Sequence, residues 1–257
     1  MAYFHFIYYT IMKFALCLHG LSASNNDKNK KPILFDVGYK FIKTELLDKY
    51  DMDVFVHTWD KGNKEKIMKY YNPKKSKFVG KRSISNRYMS SLYSYMKVNE
   101  LRKEYEKEND MKYDCIILTR FDLAIKVNKN LETYDMSKFY ICETPLSNTK
   151  YESTIEFYKS FGYMNDLLLM SNGDNIDKWC QFYYHYNKVV KMVKSGYIIT
   201  LNKKVPVRNL GHHVFMKYMM HPMSGLNESL GLMTLTDIVV HKPRLKNSQL
   251  PIPDISL

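Results

Sequence analysis

The segment around positions 119–122 joins an arginine and an aspartate to the end of a strongly apolar run. CIIL (115–118) gives way to TRFD, and LAI (123–125) then restores the apolar character. Arg120 and Asp122 are two positions apart, so their side chains share one face of an extended chain. A guanidinium can bind phosphate or carboxylate oxygens through two parallel hydrogen bonds. The two residues therefore either bind a charged ligand or pair with each other as a structural ion pair, and both alternatives stay open.

Two other apolar runs also end in polar residues. KFALCLHG (13–20) ends in His19 and Gly20, and MDVFVHTWD (52–60) ends in HTWD. In open α/β sheets, ligands bind beyond the carboxyl ends of the strands. Polar groups at three such ends are more than a packed core needs. The sequence therefore predicts a binding site where these three strand ends meet.

Strand-like and helix-like segments alternate along the chain. Further short apolar runs predict strands at 139–143, 166–171, 197–201 and 237–241. Apolar residues at helical spacing predict helices over 32–46, 86–109, 175–194 and 211–220. Continuous apolar strands that alternate with helices are typical of an α/β fold. We therefore expect a mainly parallel central sheet with helices on both faces.

The chain is basic, with 39 Lys and Arg against 26 Asp and Glu and a net charge of +13. This excess indicates either a polyanionic partner or compositional drift in a chain rich in Lys, Asn, Tyr and Ile, and drift accounts better for most of it. A denser cluster is either a solvated loop or a phosphate-facing surface: Lys74, Lys75, Lys77, Lys81, Arg82 and Arg87. Aromatic residues do not interleave there, and no nucleic-acid-binding motif occurs, so we expect no nucleic-acid partner.

The four cysteines form no CxxC pair, which disfavours a zinc site and favours free, buried thiols in a reducing compartment. We therefore expect a cytoplasmic protein. Residues 1–12 form a predicted N-terminal extension without a side-chain charge, shorter than the roughly 20 apolar residues of a membrane span. This segment is either an alternative start, an extra edge strand or a weak interfacial anchor, and the last would give peripheral membrane contact.

The stretch MSSLYSYMKVNELRKEYEKENDMKYDCIILTRFDLAI (89–125) resembles glycosyltransferases of capsule, lipopolysaccharide and giant-virus glycan clusters. There, a Tyr-Ser-containing helix leads through a charged segment to Tyr-Asp, an apolar strand and Arg-x-Asp. FALCLHG and DVFVHTWD resemble the first two strands of the same families. The resemblance implies one GT-A-like, Rossmann-type domain over 13–245. Its nucleotide-sugar half would span 13–125, its acceptor half 126–245, and a C-terminal tail 246–257.

The resemblance also implies a nucleotide-sugar donor and a divalent cation, Mn²⁺ or Mg²⁺. The usual Asp-x-Asp motif of these families holds the cation against the donor diphosphate, whose negative charge grows as the glycosidic bond breaks. Asp122 matches the second aspartate and is the implied metal ligand, whereas Arg120 stands in place of the first. We therefore expect Arg120 to contact the diphosphate directly. His19 and Gly20 are expected beside the donor as well.

The second half of the chain carries shorter similarities. MNDLLLMSN (164–172) is similar to the acceptor-side strand of glycogenin-like and galactosyltransferase-type enzymes, which implies that Asn165 contacts the acceptor. Asp166 and Asp174 are the carboxylates nearest to that strand in the sequence. Because transfer requires either a base for the acceptor hydroxyl or a retaining mechanism led by the donor phosphate, both are candidate catalytic residues.

The segment VVHKP is similar to the C-terminal His…Lys-Pro segment of the same enzymes. This similarity implies His241 as a second metal ligand and Lys242 as a phosphate ligand, although a histidine at a strand end is often structural. His212 and His213 could face the acceptor or stabilise the fold. Trp59 could stack on a sugar or belong to the core.

The function predicted from the sequence is transfer of a sugar from a nucleotide-sugar donor to a glycan or glycolipid acceptor. One alternative is a nucleotidyltransferase on a related sheet. Such enzymes usually have a Gly-rich basic loop after the first strand, whereas HGLSASNNDKNKK contains one glycine. Another alternative, which rests on the net charge, is a non-enzymatic nucleic-acid-binding protein. The phosphate-binding motifs GxxxxGK[ST] and GxGxxG are absent from the sequence.

Overall fold

A seven-stranded mixed sheet lies at the centre of the protein. The computed structural model describes residues 12–22, 35–80, 84, 87–142, 167–184, 197–200, 203–206, 230–233 and 238–241. The strands are β1 (Phe14–Gly20), β2 (Met52–Thr58), β3 (Lys75–Phe78), β4 (Cys115–Arg120), β5 (Ala124–Val127), β6 (Phe139–Cys142), β7 (Leu168–Ser171), β8 (Tyr197–Thr200), β9 (Lys203–Pro206), β10 (Leu230–Met233) and β11 (Ile238–His241). The helices are α1 (Phe35–Ile42), α2 (Lys64–Tyr71), α3 (Arg87–Glu108) and α4 (Gly173–Cys180).

The sheet has the strand order β10-β6-β7-β4-β1-β2-β3. Strand β7 is antiparallel to both of its neighbours, β4 and β6, and the other neighbouring strands are parallel. Two antiparallel pairs lie outside this sheet, β5 with β11 and β8 with β9. The carboxyl ends of β1, β2 and β4 consequently lie side by side at one edge, which we call the carboxyl edge.

Helices cover both faces of the sheet because the buried strands are apolar on both faces. On one face, α1 and α2 pack on alternate residues of β1, such as Leu16 and Leu18, and β5 joins this core. On the other face, α3 and α4 pack on the intervening residues, such as Ala15 and Cys17. The predicted α/β fold, with a mainly parallel sheet and helices on both faces, is confirmed.

The core between the sheet and helices α1 and α2 is called the first layer, and a buried carboxylate joins it to β5. Helix α1 continues into a π-helical turn, Lys43–Leu47, whose Glu45 is 3% exposed. Glu45 accepts hydrogen bonds from Lys49 Nζ (2.7 Å), Lys126 Nζ (2.9 Å) and the backbone N–H of Val127 (3.1 Å). Burial alone would raise the pKa of Glu45, but these donors outweigh it and the pKa is lowered.

The core between the sheet and helices α3 and α4 is called the second layer, and a buried arginine joins its two helices. Arg102 of α3 is 1% exposed and donates to Asn99 Oδ1 (2.9 Å), Glu106 Oε1 (2.7 Å) and Asp177 Oδ1 (2.5 Å). Asn99 Nδ2 donates to the same oxygen of Asp177 at 2.7 Å, so α3 and α4 share one network. Gly173 starts α4 beside it, and a Cβ there would come within 3.1 Å of Arg102 Nη1.

The predicted helix at 86–109 matches α3 to within one residue at each end. Its apolar stripe is buried at Leu92, Tyr95 and Val98 and partly buried at Leu101 and Tyr105. Strand β4 is longer than the apolar run at 115–118, because it continues through Thr119 and Arg120. The structure also contains elements that were not predicted: α2, β3, β5, β9 and β10. The predicted helix at 211–220 lies outside the described residues.

All four cysteines are free and buried, as expected. Burial raises the pKa of the Cys17 thiol to about 12, which suppresses its thiolate form. The described helices are too short or too polar to cross a membrane. The predicted extension at 1–12 lies outside the described residues except for Met12, which packs against the first core layer.

The Arg102 network leads to a stability prediction. Arg102→Met should lower the free energy of unfolding by about 3–5 kcal/mol, because the carboxylate of Glu106, which is 3% exposed, would stay buried without its cationic partner. Lys103→Met is the matched control, since Lys103 Nζ contacts Asp177 Oδ2 at 2.8 Å but its side chain is 52% exposed. The control should change stability by less than about 1 kcal/mol. Urea unfolding measures both variants, and equal effects would contradict the assignment of Arg102 as the centre of the layer.

Candidate functional site

The strand register brings the three polar strand ends together. His19 of β1 lies opposite His57 of β2 and Arg120 of β4, and Gly20 lies opposite Thr58. Strand β7 runs the other way, so its first residue, Leu168, pairs with Thr119 at this same edge. The carboxyl edge is therefore the place where the predicted donor-side residues converge.

Arg120 and Asp122 form a bidentate ion pair at this edge. Arg120 Nε donates to Asp122 Oδ1 at 2.8 Å, and Nη2 donates to Oδ2 at 2.6 Å. Phe121 between them is fully buried and packs in the first core layer. The Arg120 side chain remains 32% exposed and that of Asp122 14% exposed. The two residues share a face as predicted, and the ion-pair alternative describes their geometry.

Helix α1 packs directly against the backbone of residues 121–123, and a glycine of the helix makes this contact possible. A Cβ on Gly38 would lie 2.0 Å from the carbonyl oxygen of Phe121 and 3.3 Å from the backbone nitrogen of Leu123. No other residue type allows this approach, so Gly38 lets α1 pack directly on the backbone that carries Asp122. Sequence reasoning missed this role, although a glycine within a helical pattern indicates close packing.

The loops after β1 and β2 are held against each other. The backbone N–H of Ser22 donates to Asp60 Oδ2 at 2.7 Å, and Asn63 Nδ2 donates to the Ser22 carbonyl at 3.2 Å. The backbone N–H of Trp59 donates to the Gly20 carbonyl at 3.2 Å. Gly20 has φ +98°, and a Cβ there would meet no atom of the described residues within 4 Å. Because glycine carries no side chain, a ligand can approach this backbone closely.

Two predicted ligand contacts do not fit their positions. Trp59 is 3% exposed, and its Nε1 donates to Ser94 Oγ at 2.7 Å, so it is a core residue and cannot stack on an acceptor. His19 is also 3% exposed, and its ring packs edge-on against Tyr95 at a centroid distance of 4.3 Å. Buried rings could not be distinguished from exposed ones by their place at a strand end alone.

His57 is a fully buried imidazole next to the carboxyl edge. It packs edge-on against Trp59 and Tyr93, at centroid distances of 5.3 and 5.8 Å. Neither ring nitrogen finds a hydrogen-bond partner in the described part of the chain. Burial, followed by the nearby charges of Lys77 and Lys97, lowers the pKa of His57 to about 4. The ring is therefore neutral at physiological pH.

The described residues do not by themselves assemble a site for a divalent cation. Both carboxylate oxygens of Asp122 accept hydrogen bonds from Arg120. Within the described ranges, no group of three or more His, Cys, Asp or Glu could hold a metal ion. The backbone of His241 pairs with Ala124, two residues after Asp122. This pairing brings the two chain segments together, and a metal role for Asp122 and His241 stays a prediction.

One of the two candidate catalytic carboxylates, Asp174, lies away from the carboxyl edge. Because β7 is antiparallel to β4, its last residue, Ser171, pairs with Ile116 near the amino end of β4. Asp174 follows there and lines a cavity of about 600 Å³ at the opposite edge of the sheet from Asp122. The structure therefore does not bring Asp174 to the carboxyl edge.

Several predicted site residues lie outside the described part of the chain, and their roles stay predictions: Asn165, Asp166, His212, His213 and Lys242. The chain just after Asp166 does reach the carboxyl edge, because Thr119 Oγ1 donates to the carbonyl of Leu167 at 2.9 Å.

Two lysines of the basic cluster, Lys74 and Lys75, form ion pairs with carboxylates. Lys74 Nζ lies 3.3 Å from Asp53, and Lys75 Nζ lies 3.3 Å from Glu104 and 2.7 Å from Glu108. Residues 75–78 form β3 at the edge of the sheet, so this part of the cluster is a strand and not a solvated loop. Lysines on an edge strand discourage pairing with another chain, which accounts for them without a phosphate ligand.

Comparison with known proteins gives distant structural similarity but no match in sequence. No family model matches the sequence, and no curated protein matches it. Among solved structures, the chain is similar to the apo-form glycosyltransferase GlyE of Streptococcus pneumoniae TIGR4, with a TM-score of 0.43 and 8% identity. The match covers 86% of this chain and 45% of that protein, so this chain spans less than half of its length. A similarity at this level carries no argument about the reaction.

The Gly38 contact predicts a specific failure. Gly38→Ala should lower the free energy of unfolding by about 3 kcal/mol, since helix or turn must move to clear the Phe121 carbonyl. Gly62→Ala is the matched control, because a Cβ at Gly62 would meet no atom within 4 Å. Urea unfolding compares the two. Wild-type stability in Gly38→Ala would show that α1 does not support the Asp122 turn.

The buried His57 predicts a pH dependence of stability. The unfolded chain protonates this histidine near its ordinary pKa of 6.5, whereas the folded protein resists protonation until about pH 4. Stability from this group is therefore complete above pH 6.5 and lost as the pH falls towards 4. Lowering the pH from about 7.5 to about 5 should cost the wild type about 2 kcal/mol more than His57→Phe.

Chemical unfolding at both pH values measures this difference. Glu45, whose pKa is lowered in the fold, loses its contribution only at lower pH, so it does not obscure the comparison. Equal losses in wild type and variant would mean that His57 is protonated as easily in the folded protein as in the unfolded chain.

Proposed function

We propose that this chain is a glycosyltransferase that moves a sugar from a nucleoside-diphosphate donor to a glycan or glycolipid acceptor. The observation that carries the proposal is the oriented guanidinium of Arg120 at the carboxyl edge. This edge is where open α/β sheets bind ligands, and a planar guanidinium fork matches the geometry of phosphate oxygens. The sequence resemblance of 89–125 to glycosyltransferases supports the same reading, because Arg120 and Asp122 are its last motif.

Asp122 serves to orient Arg120 in this proposal. Its two hydrogen bonds hold the guanidinium plane, and Gly38 fixes the backbone between them from below. A cation held in place before the reaction stabilises developing negative charge without reorganising. Because the diphosphate gains charge as the glycosidic bond breaks, Arg120 would stabilise the departing nucleoside diphosphate.

The neighbouring loop ends complete the proposed donor site. Gly20 lies next to Arg120 and carries no side chain, which would let a phosphate approach the backbone there. The hydrogen bonds between the loops of Ser22 and Asp60 limit the motion of this part of the edge. We further propose Asp166 as the base for the acceptor hydroxyl. A divalent cation at Asp122 stays a prediction, and donor binding in the presence of a chelator tests it.

Binding of nucleoside diphosphates tests the donor site. Titration calorimetry with UDP, GDP and TDP should find one that binds the wild type, and Arg120→Lys should bind it about tenfold more weakly, since lysine keeps the charge but loses the fork. Binding should persist in part with a chelator. Lys103→Met removes a distant cation as the control and should bind normally. If Arg120→Lys binds like the wild type, Arg120 is only a structural ion-pair partner.

The products identify the reaction class. A glycosyltransferase without acceptor should slowly hydrolyse its nucleotide sugar to a nucleoside diphosphate and free sugar. A nucleotidyltransferase would instead join a sugar phosphate to a nucleoside triphosphate, and the triphosphate would release pyrophosphate. Screening both substrate sets on the wild type and on Asp122→Asn distinguishes the glycosyltransferase from the nucleotidyltransferase reaction. Release of pyrophosphate without hydrolysis of any nucleotide sugar would favour the nucleotidyltransferase alternative over the proposal.

A further inference from the structure

A row of aromatic side chains leads from the core to the surface on the α3–α4 side of the protein. The Trp59 ring lies 5.2 Å from that of Tyr93, which lies 5.4 Å from Tyr183, which lies 5.6 Å from Tyr184. We call these four residues the aromatic row. Exposure increases along it, from 3% at Trp59 through half-buried Tyr93 and Tyr183 to 62% at Tyr184.

The row ends close to the carboxyl edge for topological reasons. Trp59 follows β2 directly, and Tyr93 lies in the first half of α3, which runs antiparallel to the strands it connects. Because β7 is antiparallel, α4 starts at the opposite edge and leads the chain back. Tyr183 and Tyr184, which follow α4, therefore lie on the same side of the molecule as Arg120.

The row is rigid at its base and electrically neutral near its surface. Trp59 is anchored by its hydrogen bond to Ser94, and His57 packs against both Trp59 and Tyr93. Lys97 Nζ lies 5.5 Å above the Tyr93 ring, but Glu100 pairs with it at 2.6 Å. An anion would meet a lysine that is already neutralised, so the surface fits an uncharged ligand.

A pyranose ring suits such a surface. It offers one face of C–H groups to an aromatic ring and keeps its hydroxyl groups at the rim, where tyrosine hydroxyls and water can bond them. Of the described residues, only Met68 and Tyr184 are large apolar side chains that are exposed. Met68 lies on α2, in the layer on the other face of the sheet, so Tyr184 is the exposed one that belongs to a built aromatic surface.

We propose that the outer part of the aromatic row, Tyr93, Tyr183 and Tyr184, binds a sugar ring of the acceptor glycan, with the exposed ring of Tyr184 as its main contact. The inference rests on the proposed function, because it names the acceptor of that reaction and explains why a platform lies near the donor edge. It replaces Trp59, which is buried, with Tyr93, Tyr183 and Tyr184 as the aromatic contacts. A rigid aromatic surface binds with little loss of side-chain entropy.

Saturation-transfer NMR on the full chain tests the proposal. The probes are the methyl β-glycosides of glucose, galactose and N-acetylglucosamine. At least one should show transfer that is strongest at the C–H groups of one ring face. Tyr184→Ala should weaken this binding about fivefold, whereas Tyr184→Phe, which keeps the ring, should retain it. Met68→Ala removes an exposed apolar side chain of the other layer and should leave binding unchanged.

The remaining outcomes are decisive. Absence of transfer from all three glycosides, or equal binding by Tyr184→Ala and wild type, would overturn the proposal. Binding of the apolar dye bis-ANS at Tyr184 without binding of any sugar would make the row a contact for an apolar partner and would overturn it too. Titration with the nucleoside diphosphates keeps the two proposals apart. Tyr184→Ala should bind the donor nucleotide normally, and sugar binding without nucleotide binding would retire the transferase but keep the platform.

Discussion

The buried charge of Arg102 is the constraint around which one whole layer of the protein is arranged. An arginine this buried must have its donors satisfied, and three side chains from two helices do so, Asn99 and Glu106 from α3 and Asp177 from α4. The start of α4 packs closely beside it, since a Cβ on Gly173 would lie 3.1 Å from Arg102 Nη1. These requirements fix how α4 crosses α3, and α4 in turn determines where Tyr183 and Tyr184 emerge. The Arg102 network lies at one edge of the sheet and, through the course of α4, positions the outer residues of the aromatic row at the opposite edge.

In the first layer, which contains α1 and α2, a buried carboxylate and a glycine fix the position of helix α1. Glu45, turned inward by the π-helical turn, binds Lys126 and the backbone of β5, so α1 is joined to the strand that follows the Asp122 turn. Gly38, two turns earlier, lets the same helix touch the turn itself. The position of Asp122 is therefore determined by the backbone on two sides rather than by contacts of its own side chain. Such support is what a site needs if its charged groups are to keep their geometry without a ligand.

The elements predicted correctly from the sequence are those that bury a continuous apolar face. Strands β1, β2 and β4 and helix α3 show uninterrupted runs or stripes, because both sheet faces or one helix face are covered. Strand β3 and helix α2 were missed for the opposite reason. The edge strand β3 is partly exposed and basic, and α2 buries only Ile67 and Tyr71. Within the candidate site, the charged pair was visible as a break in an apolar run. The direction of β7 was not visible, and this direction separates Asp174 from Asp122.

Exposure distinguishes the two arginine–carboxylate clusters and answers why charge occurs at the end of the most apolar strand. Arg102 is 1% exposed and donates hydrogen bonds to three side chains. A guanidinium this buried is not accessible to a ligand, so its role is structural. Arg120 needs no such network to fold, because the neighbouring Phe121 already fills the core and the guanidinium keeps 32% of its side chain at the surface. The side chain of Asp122 is 14% exposed, so the pair is half-buried. In the proposed function, its bidentate geometry orients the guanidinium for a ligand at the carboxyl edge.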